Sequence, residues 1–268
     1  MSPPEYRTLR VSLHGDWARV DLHRPDVRNA FDERMIAELT EAFGRLPGNT
    51  ALRALVLGGS GAVFCAGADI EWMRRSADRT EEENVSDARA MAAMFRTIDT
   101  CPLPVIARVH KAAFGGALGL LAASDIVIAE ARTRLCFSEV RLGLIPAVIS
   151  PLTVAKIGLA AARRLFLTAE VFTAETAPPG LIHEIAAPGG MDDRIENLLR
   201  SLRAAGPEAV REIKALLPRV VAGPGADTLE SCVRAIARVR TGEEAQAGLR
   251  AFLDKRDPPW QARPRDEE

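Results

Sequence analysis

The sequence has few aromatic residues, few cysteines and no excess of either charge. Phenylalanine, tryptophan and tyrosine make up 5% of its 268 residues, so the core has to be built mainly from aliphatic side chains. The four cysteines stand alone, without the spacing that zinc sites use, and we therefore expect reduced thiols and no bound metal. A formal net charge of −1 argues against a protein that holds nucleic acid or a membrane surface by bulk charge.

Long apolar runs are also missing. No uninterrupted apolar segment is long enough to span a bilayer, and residues 1–6 lack the apolar core of a signal peptide. We therefore expect a cytoplasmic protein without a membrane partner. The length suffices for one large α/β domain, or for one domain with a small helical appendage. No linker, low-complexity tract or repeat divides the chain.

Residues 105–146 contain the pattern on which the functional interpretation depends. The apolar run that opens this stretch predicts a buried strand. A turn of small residues at 112–117 leads into helix formers at 118–123, and a second apolar strand follows at 126–128. A strand that enters a glycine turn and then a helix presents unpaired N–H groups at the positive end of the helix dipole. Such a turn can hold a developing oxyanion, and Glu139 follows it in an apolar context.

A second turn of small residues lies upstream. The apolar run at 52–57 predicts a strand, and the glycines at 58–61 form its exit turn. Residues 64–69 then place small side chains where a ligand can approach the backbone closely. Gly67 alone would be an ordinary turn glycine. Because the glycine turn at 115–116 also follows a strand, we favour the interpretation that both turns face one ligand.

The remaining pattern predicts two further strands and several amphipathic helices. The strands, at 8–13 and 18–22, are joined by a turn suited to a hairpin. Asp32 is predicted to cap a helix with one apolar face, whereas residues 74–83 are charged and show no pattern. Gly158 is expected to separate two helices, and the C-terminal end to fray. The other predicted helices cover residues 85–98, 151–157, 161–167, 192–204, 207–217 and 228–253.

Several blocks of the sequence together resemble one known family. Residues 63–70, 109–117, 124–126 and 137–146, in this order, are similar to the signatures of the crotonase superfamily, the enoyl-CoA hydratase/isomerase fold. The resemblance extends over most of the chain, from about residue 18 to about residue 256.

The resemblance implies a fold and an assembly. The fold is α/β, the crotonase (ClpP/crotonase-like) spiral of ββα units with a C-terminal helical region. Residues 1–190 would form the core domain, and residues 191–268 would form a helical oligomerisation region. Homotrimers, or dimers of trimers, are the norm of the family.

The resemblance also implies the substrate and the groups that act on it. The substrate is an acyl-CoA thioester, with no further cofactor. Its carbonyl oxygen would lie between the backbone N–H groups of Ala68 and Gly116, and Glu139 would be the catalytic acid and base. Family hydratases commonly use two glutamates, and the first of them falls here at Gly119, which cannot titrate. The alternative for Glu139 is a structural carboxylate that is hydrogen-bonded at a helix start.

Further residues are implied to contact the substrate. Lys111 stands where the family usually has glycine, and we favour a surface lysine on an altered turn over a cation for a carboxylate or phosphate. Trp72 either lines the acyl pocket or belongs to the core. Arg28 is either a phosphate contact or a solvated loop residue, and Lys255 either reaches CoA or complements a helix C-terminus. The implied CoA-contacting residues are Arg28, Ala30, Ala66, Asp69, Ile70 and Lys255.

These observations predict an enoyl-CoA hydratase, a lyase that adds water across a 2-enoyl-CoA double bond in fatty acid metabolism. Residues 138–151 look most similar to bacterial methylglutaconyl-CoA hydratases, which act in leucine degradation on a substrate with a distal carboxylate. Two alternatives stay open: an enoyl-CoA Δ3-Δ2 isomerase in which Glu139 shuttles one proton, and a CoA-binding or RNA-associated protein of this fold without turnover. Because no basic stripe is present, we expect no nucleic-acid partner.

Overall fold

The computed structural model of the chain describes residues 5–221 and 223–261. Strands and helices alternate through the first two thirds of the chain, and the last part is helical. The strands are β1 (Leu9–His14), β2 (Trp17–Leu22), β3 (Ala54–Gly59), β4 (Val105–Val109), β5 (Ala112–Phe114), β6 (Ile126–Glu130), β7 (Arg134–Cys136), β8 (Phe172–Thr173) and β9 (Glu184–Ala186). The helices are α1 (Glu33–Arg45), α2 (Ile70–Ala77), α3 (Glu81–Asp99), α4 (Ala117–Ala123), α5 (Ser150–Thr168), α6 (Met191–Ala204), α7 (Pro207–Val220), α8 (Ala226–Thr241) and α9 (Glu243–Leu253).

The larger sheet has the strand order β1-β2-β3-β4-β6-β9. Strands β1 and β2 form the predicted antiparallel hairpin, and all other neighbours in this sheet are parallel. The central strands are nearly continuous runs of buried apolar residues. This pattern is typical of parallel strands that are covered on both faces.

Alternate residues of the central strands enter two separate cores, because successive side chains of a strand point to opposite faces. Leu55 and Ala107 pack on one face with the apolar sides of α1, α3 and α4. Val56 and Ile106 pack on the other face against α6, to which Ile195 belongs. The sheet is therefore enclosed by helices on both sides.

The smaller sheet, with the order β5-β7-β8, carries the chain to the candidate site. Strand β5 runs parallel to β7 and ends at Phe114, directly before the Gly115–Gly116 turn and α4. Strand β7 ends at Cys136 and is followed by the short 3-10 helix Glu139–Leu142. Pairing of β5 with β7 therefore brings the glycine turn and Glu139 to the same edge.

Most predicted elements are present, but three predictions about them are wrong. The predicted helix 228–253 is divided at Gly242, whose ψ of 157° ends α8 before α9 begins. The stretch 74–83 is partly helical, because α2 extends to Ala77 and Thr80 starts α3 with a capping box. The small-residue turn is shorter than predicted, since β5 forms its first half. Gly158, with φ 74°, interrupts α5 as predicted.

The C-terminal helices leave large apolar side chains exposed. No described side chain of α7 or α8 is buried, and in α9 only Ala251 is. The exposed apolar residues are Ile213, Leu217, Leu229, Val233, Ile236, Leu249, Phe252 and Leu253. The domain boundary after residue 190 stays a prediction, and the predicted frayed end falls largely on residues 262–268, outside the described chain. Within the described chain, the helices are too short or too polar to cross a membrane.

Candidate active site

The loop between β3 and α2 holds a peptide unit whose orientation is fixed by a neighbouring backbone. The Gly67 carbonyl accepts a hydrogen bond from the Phe31 N–H at 2.8 Å, and the Asp69 N–H donates to the Phe31 carbonyl at 2.7 Å. In a trans peptide the C=O and the following N–H point in opposite directions. The Ala68 N–H, which belongs to the same peptide as the Gly67 carbonyl, therefore points away from the backbone of Phe31.

This loop packs directly against the glycine turn that precedes α4. The Cys65 N–H donates to the Ala112 carbonyl, and the Phe114 N–H donates to the Cys65 carbonyl, both at 3.2 Å. A Cβ atom added to Gly67 would lie 2.8 Å from the Phe114 carbonyl oxygen, and the φ of Gly67 is 98°. Only glycine fits this approach without a shift of the backbone. The two small-residue turns that the sequence predicted to face one ligand do lie together.

The glycine turn itself is held by two further backbone hydrogen bonds. The Gly115 N–H donates to the Cys136 carbonyl at 2.8 Å, and the Gly115 carbonyl accepts from the Leu118 N–H at 2.9 Å. The Gly116 N–H therefore points away from α4, by the same peptide geometry. Within the described residues, neither the Ala68 N–H nor the Gly116 N–H donates a hydrogen bond to another protein group. Both donors are free for a ligand.

Glu139 places its carboxylate beside this turn. A Cβ atom on Gly115 would lie 3.5 Å from Glu139 Oε1 and 3.8 Å from Cδ. Within the described chain, Glu139 Oε2 is buried without a hydrogen-bond partner. Burial raises the pKa of Glu139, and its own backbone N–H opposes the shift only in part. A structural carboxylate at a helix start would have its oxygens satisfied, so the geometry favours the functional interpretation.

Gly119, the position of the missing second glutamate, is closed by apolar side chains. A Cβ atom here would come within 2.6 Å of Phe95 Cζ and within 2.4 Å of Ile149 Cγ2. Both side chains belong to the main core. There is accordingly no room for a side chain of any kind at position 119 unless its neighbours move.

Most of the implied CoA-contacting residues lie in the two loops that precede α1 and α2, whereas Lys255 follows α9. Ala66 is bonded through its N–H to the Arg28 carbonyl at 3.0 Å, which joins the loops before α1 and α2. Arg28 itself is exposed with φ 56°, and Ile70 is 68% exposed at the start of α2, whereas Ala30 is buried. The buried Asp69 accepts from the N–H groups of Glu71 and Trp72 and caps α2. The Lys255 N–H donates a hydrogen bond to the Phe252 carbonyl just after α9. A contact between its side chain and CoA stays a prediction.

Trp72 and Lys111 occupy contrasting environments. Trp72 is 6% exposed, lies one helical turn beyond Asp69, and within the described chain its indole N–H has no partner. The Lys111 side chain is 70% exposed, with Nζ 3.9 Å from Glu130 Oε2. Its φ of 57° shows that the turn keeps the conformation that suits glycine, at some cost in strain, so the prediction of an altered turn is wrong. The position fits a surface lysine.

Two other titratable groups near the turns, Cys65 and His110, have hydrogen bonds to backbone carbonyls. Cys65 is fully buried, its thiol donates to the Asn29 carbonyl, and burial raises its pKa to about 12. His110 bonds the Gly61 carbonyl through Nε2 at 3.0 Å, and burial lowers its pKa. Among the described residues, no group of His, Cys, Asp and Glu side chains is arranged to bind a metal ion. This leaves Glu139 as the candidate acid–base group beside the two turns.

Sequence reasoning missed three side chains that shape the site. Arg24 contacts both loops, the Phe31 ring lies 3.3 Å from where a Gly116 Cβ would be, and Phe95 closes position 119. Asp32, eight positions after Arg24, was a usable signal for an ion pair in this loop. No local pattern indicates the other two contacts, which join distant parts of the chain.

Most of the chain matches one family. A family model described as "Enoyl-CoA hydratase/isomerase" matches residues 15–263. The chain belongs to the enoyl-CoA hydratase/isomerase family. A Thermus thermophilus relative, provisionally named an enoyl-CoA hydratase, is 33% identical over 248 residues, which cover 91% of this chain and 97% of the relative. The resemblance seen in the motifs is thereby confirmed.

Solved structures agree with this membership of the family. An enoyl-CoA hydratase from Shewanella pealeana has a TM-score of 0.92 and 41% identity, and the match covers 96% of this chain and 97% of that one. Pseudomonas aeruginosa AtuE has a TM-score of 0.91 and 34% identity, and the match covers 96% of this chain and 100% of AtuE. The predicted crotonase fold is confirmed, whereas a special closeness to methylglutaconyl-CoA hydratases is not shown.

Proposed function

We propose that this protein is an enoyl-CoA hydratase that adds water across the double bond of a 2-enoyl-CoA thioester. The observation that carries the proposal is the position of the Glu139 carboxylate beside Gly115, next to two backbone N–H groups that have no partner among the described residues. Membership of the enoyl-CoA hydratase/isomerase family supports it. Several relatives carry the name enoyl-CoA hydratase, which also supports the proposal.

The mechanism follows from where charge develops. Attack of a water oxygen at Cβ moves an electron pair through Cα to the thioester oxygen, so the enolate oxygen becomes negative. The N–H groups of Ala68 and Gly116 stabilise that charge, and loss of one such donor typically costs about 2.7–4 kcal/mol of barrier. Glu139 takes a proton from the attacking water and returns a proton to Cα, which leaves the 3-hydroxyacyl-CoA and restores the carboxylate.

The single carboxylate defines the chemistry of this site. With glycine at position 119, we propose that the same group accepts the proton from water and delivers it to carbon, in place of a second side chain or a water network. Desolvation supports this double role, because it raises the pKa of Glu139 towards neutral pH, where a carboxyl both accepts and donates protons readily.

Turnover of crotonyl-CoA tests the proposal. We expect the absorbance of the conjugated enoyl thioester to fall as 3-hydroxybutanoyl-CoA forms, and this rate to fall by about 10²–10⁴-fold in Glu139→Gln. Unchanged hydration in this variant would contradict the assignment of Glu139. A folded wild-type protein that binds acyl-CoA and hydrates no 2-enoyl-CoA would instead favour a CoA-binding protein without turnover.

Isomerisation is a second candidate, favoured by one observation. Moving a double bond from Cβ–Cγ to Cα–Cβ needs one group to take a proton from Cα and return it to Cγ, and this site has one carboxylate with apolar Phe95 and Ile149 at position 119. A 3-enoyl-CoA substrate distinguishes the two reactions. An isomerase generates conjugated absorbance from it and adds no water, whereas a hydratase leaves it unchanged.

The natural acyl group and the assembly are further parts of the proposal. The natural acyl group can be tested by comparing the turnover of crotonyl-CoA with that of 3-methylglutaconyl-CoA, the leucine-degradation substrate that the resemblance implies. A preference for the latter would support recognition of a distal carboxylate. The exposed apolar residues of α7–α9 support a trimer or a dimer of trimers in which copies of this chain cover one another. Light scattering measures the mass directly.

A further inference from the structure

Arg24 lies outside the groups that would touch the substrate, yet it contacts two separate segments of the site. Its Nη1 atom donates to the Ala30 carbonyl at 2.7 Å, and lies 2.9 Å from Asp69 Oδ2 and 3.2 Å from Asp32 Oδ2. The side chains of Arg24 and Asp32 are half-buried, and that of Asp69 is buried. One nitrogen thus joins three oxygens from two segments, the loop before α1 and the N-terminus of α2.

The two aspartates have the same local task at different helices. Asp32 Oδ1 accepts from the Met35 N–H at 2.8 Å and caps α1. Asp69 Oδ1 accepts from the Glu71 N–H at 2.8 Å and caps α2. In each case the other carboxylate oxygen faces Arg24, so the guanidinium ties the N-termini of both helices together.

Asp69 is directly bonded in sequence to Ala68, whose N–H is the proposed oxyanion donor. Burial alone would raise the pKa of Asp69, but the N–H groups of Trp72 and Glu71 and the Arg24 guanidinium outweigh it and lower the pKa. The carboxylate is therefore held ionised in one place. The Asp69 N–H is anchored on the other side by the Phe31 carbonyl, so Ala68 has little freedom to rotate.

We propose that Arg24 is a positioning residue for the oxyanion hole, which fixes the direction of the Ala68 N–H by holding Asp69 against the loop before α1. The inference rests on the proposed function of Ala68, and it adds a residue that does not itself touch the substrate. A misplacement of about 1 Å at a catalytic group can cost about 10²-fold in rate, so a residue that acts only on position can have a large effect.

The substitution Arg24→Met keeps the length of the side chain and removes the charge. We expect kcat to fall by about tenfold to hundredfold, with KM changed by less than about threefold, because the donor is used mainly in the transition state. Arg24→Lys should recover most of the loss, because an ammonium group also offers several donors from one nitrogen. A loss in kcat that is equal for lysine and methionine would overturn the proposal.

Asp69→Asn and Asp32→Asn form a matched pair. Each keeps a capping oxygen and loses the charge that faces Arg24, but only Asp69 adjoins Ala68. We expect Asp69→Asn to lower kcat as Arg24→Met does, and Asp32→Asn to lower it several times less, at similar melting temperatures. Equal losses in kcat for both variants would show a general loosening of the loops instead of a positioning role.

A spectroscopic readout separates this inference from the proposed function. Butanoyl-CoA labelled with ¹³C at its thioester carbonyl has no double bond to hydrate, so its infrared C=O band reports hydrogen bonding alone. The wild-type protein should shift the band to lower frequency, and Arg24→Met should lose part of that shift. An unshifted band in the wild-type protein would contradict the oxyanion hole itself. A full shift in Arg24→Met would overturn only the role of Arg24.

Discussion

Two positions beside the glycine turn, Glu139 and Gly119, differ in their surroundings: the first carries a poorly hydrogen-bonded carboxylate, and the second is packed against apolar side chains. Glu139 is half-buried, and within the described chain its shielded Oε2 atom lacks a hydrogen-bond partner, which is costly for a charged group. At Gly119, by contrast, the side chains of Phe95 and Ile149 fill the space with well-packed apolar atoms. One position gives up stability for reactivity, and the other gives up a second titratable group for packing.

This difference indicates how the site is divided. In the proposed reaction, one side chain transfers protons and main-chain N–H groups stabilise the negative charge. Hydrogen bonds of the neighbouring backbone already orient these N–H groups, so little reorganisation is needed during the reaction. The apolar side supports α3 and α4 and belongs to the same core as the sheet. Substitutions on the two sides should therefore fail in different ways: loss of rate on the polar side, and loss of stability on the apolar side.

The largest expected effect is the loss of the acid–base group in Glu139→Gln. General acid–base groups contribute about 10²–10⁴-fold to a rate, and we expect kcat for crotonyl-CoA hydration to fall by that amount. Glu130→Gln, which changes a carboxylate at the end of β6 that lies 3.9 Å from Lys111, is the control and should stay near wild type. Similar losses in both variants would mean that general charge, not the position of Glu139, drives the reaction.

Gly67→Ala should have the next largest effect on rate. The φ of 98° strains any L side chain, and the added Cβ would lie 2.8 Å from the Phe114 carbonyl oxygen, so the loop has to move and to turn the Ala68 N–H. We expect kcat to fall by about 10²–10³-fold, as for the loss of one oxyanion donor. Steady-state kinetics with crotonyl-CoA measures it.

Gly189→Ala is the matched control for this substitution. Gly189 also has a positive φ, 77°, but an added Cβ meets nothing within 4 Å. Both variants should lose some stability from backbone strain, and only Gly67→Ala should lose kcat. If Gly189→Ala reduced kcat equally, strain alone would explain the result.

On the apolar side, Phe95→Ala should mainly affect stability, by about 3–5 kcal/mol. Gly119→Glu should be destabilising by itself, because its side chain collides with Phe95 and Ile149. In the double variant the glutamate enters the space that Phe95 leaves, so the double loss should be smaller than the sum of the single losses. Urea unfolding gives the three free energies.

Gly44→Glu serves as the control for adding a glutamate to a helical glycine. Gly44 lies in α1, and a Cβ there meets nothing within 4 Å. Its effect should be small and should add to that of Phe95→Ala. Strict additivity for Gly119→Glu as well would contradict the contact between positions 95 and 119.

The sequence predicts the parts of this fold that depend on local patterns. Helix α1 follows from Asp32, whose side chain caps it as expected, and from apolar spacing that leaves Met35, Leu39 and Phe43 buried. The buried strands follow from their continuous apolar runs. Gly158 interrupts α5 where its conformational freedom predicts a break, but the equivalent role of Gly242 was missed because the flanking pattern continues on both sides.

The candidate site was less accessible to local reasoning. Glu139 lies 24 positions after Gly115, so the sequence shows only that it follows the turn, whereas their proximity in space depends on the pairing of β5 with β7. The closure of Gly119 by Phe95 joins α4 to α3, and no periodicity within either helix reports it. Contacts between distant segments are fixed by the packing of the whole core, which one sequence does not reveal.

The smallest expected effect is a pH-dependent difference in stability between wild type and Glu139→Gln. Burial raises the pKa of Glu139 in the folded protein, so the folded state holds this proton more tightly than the unfolded chain. That contribution to stability is complete below the unfolded pKa and is lost as the pH rises through the folded pKa. Glutamine does not titrate, so the advantage of Glu139→Gln should increase over this pH range and then level off.

Thermal or urea unfolding of both proteins from acid to neutral pH measures this difference. Its total change divided by about 1.4 kcal/mol gives the shift of the pKa in units, because one unit corresponds to that free energy. A constant difference would mean that Glu139 has an ordinary pKa in the folded state. A difference that favours wild type increasingly at neutral pH would mean that a cation or a donor holds the carboxylate ionised, which would contradict the isolated acid–base group from which the reaction was derived.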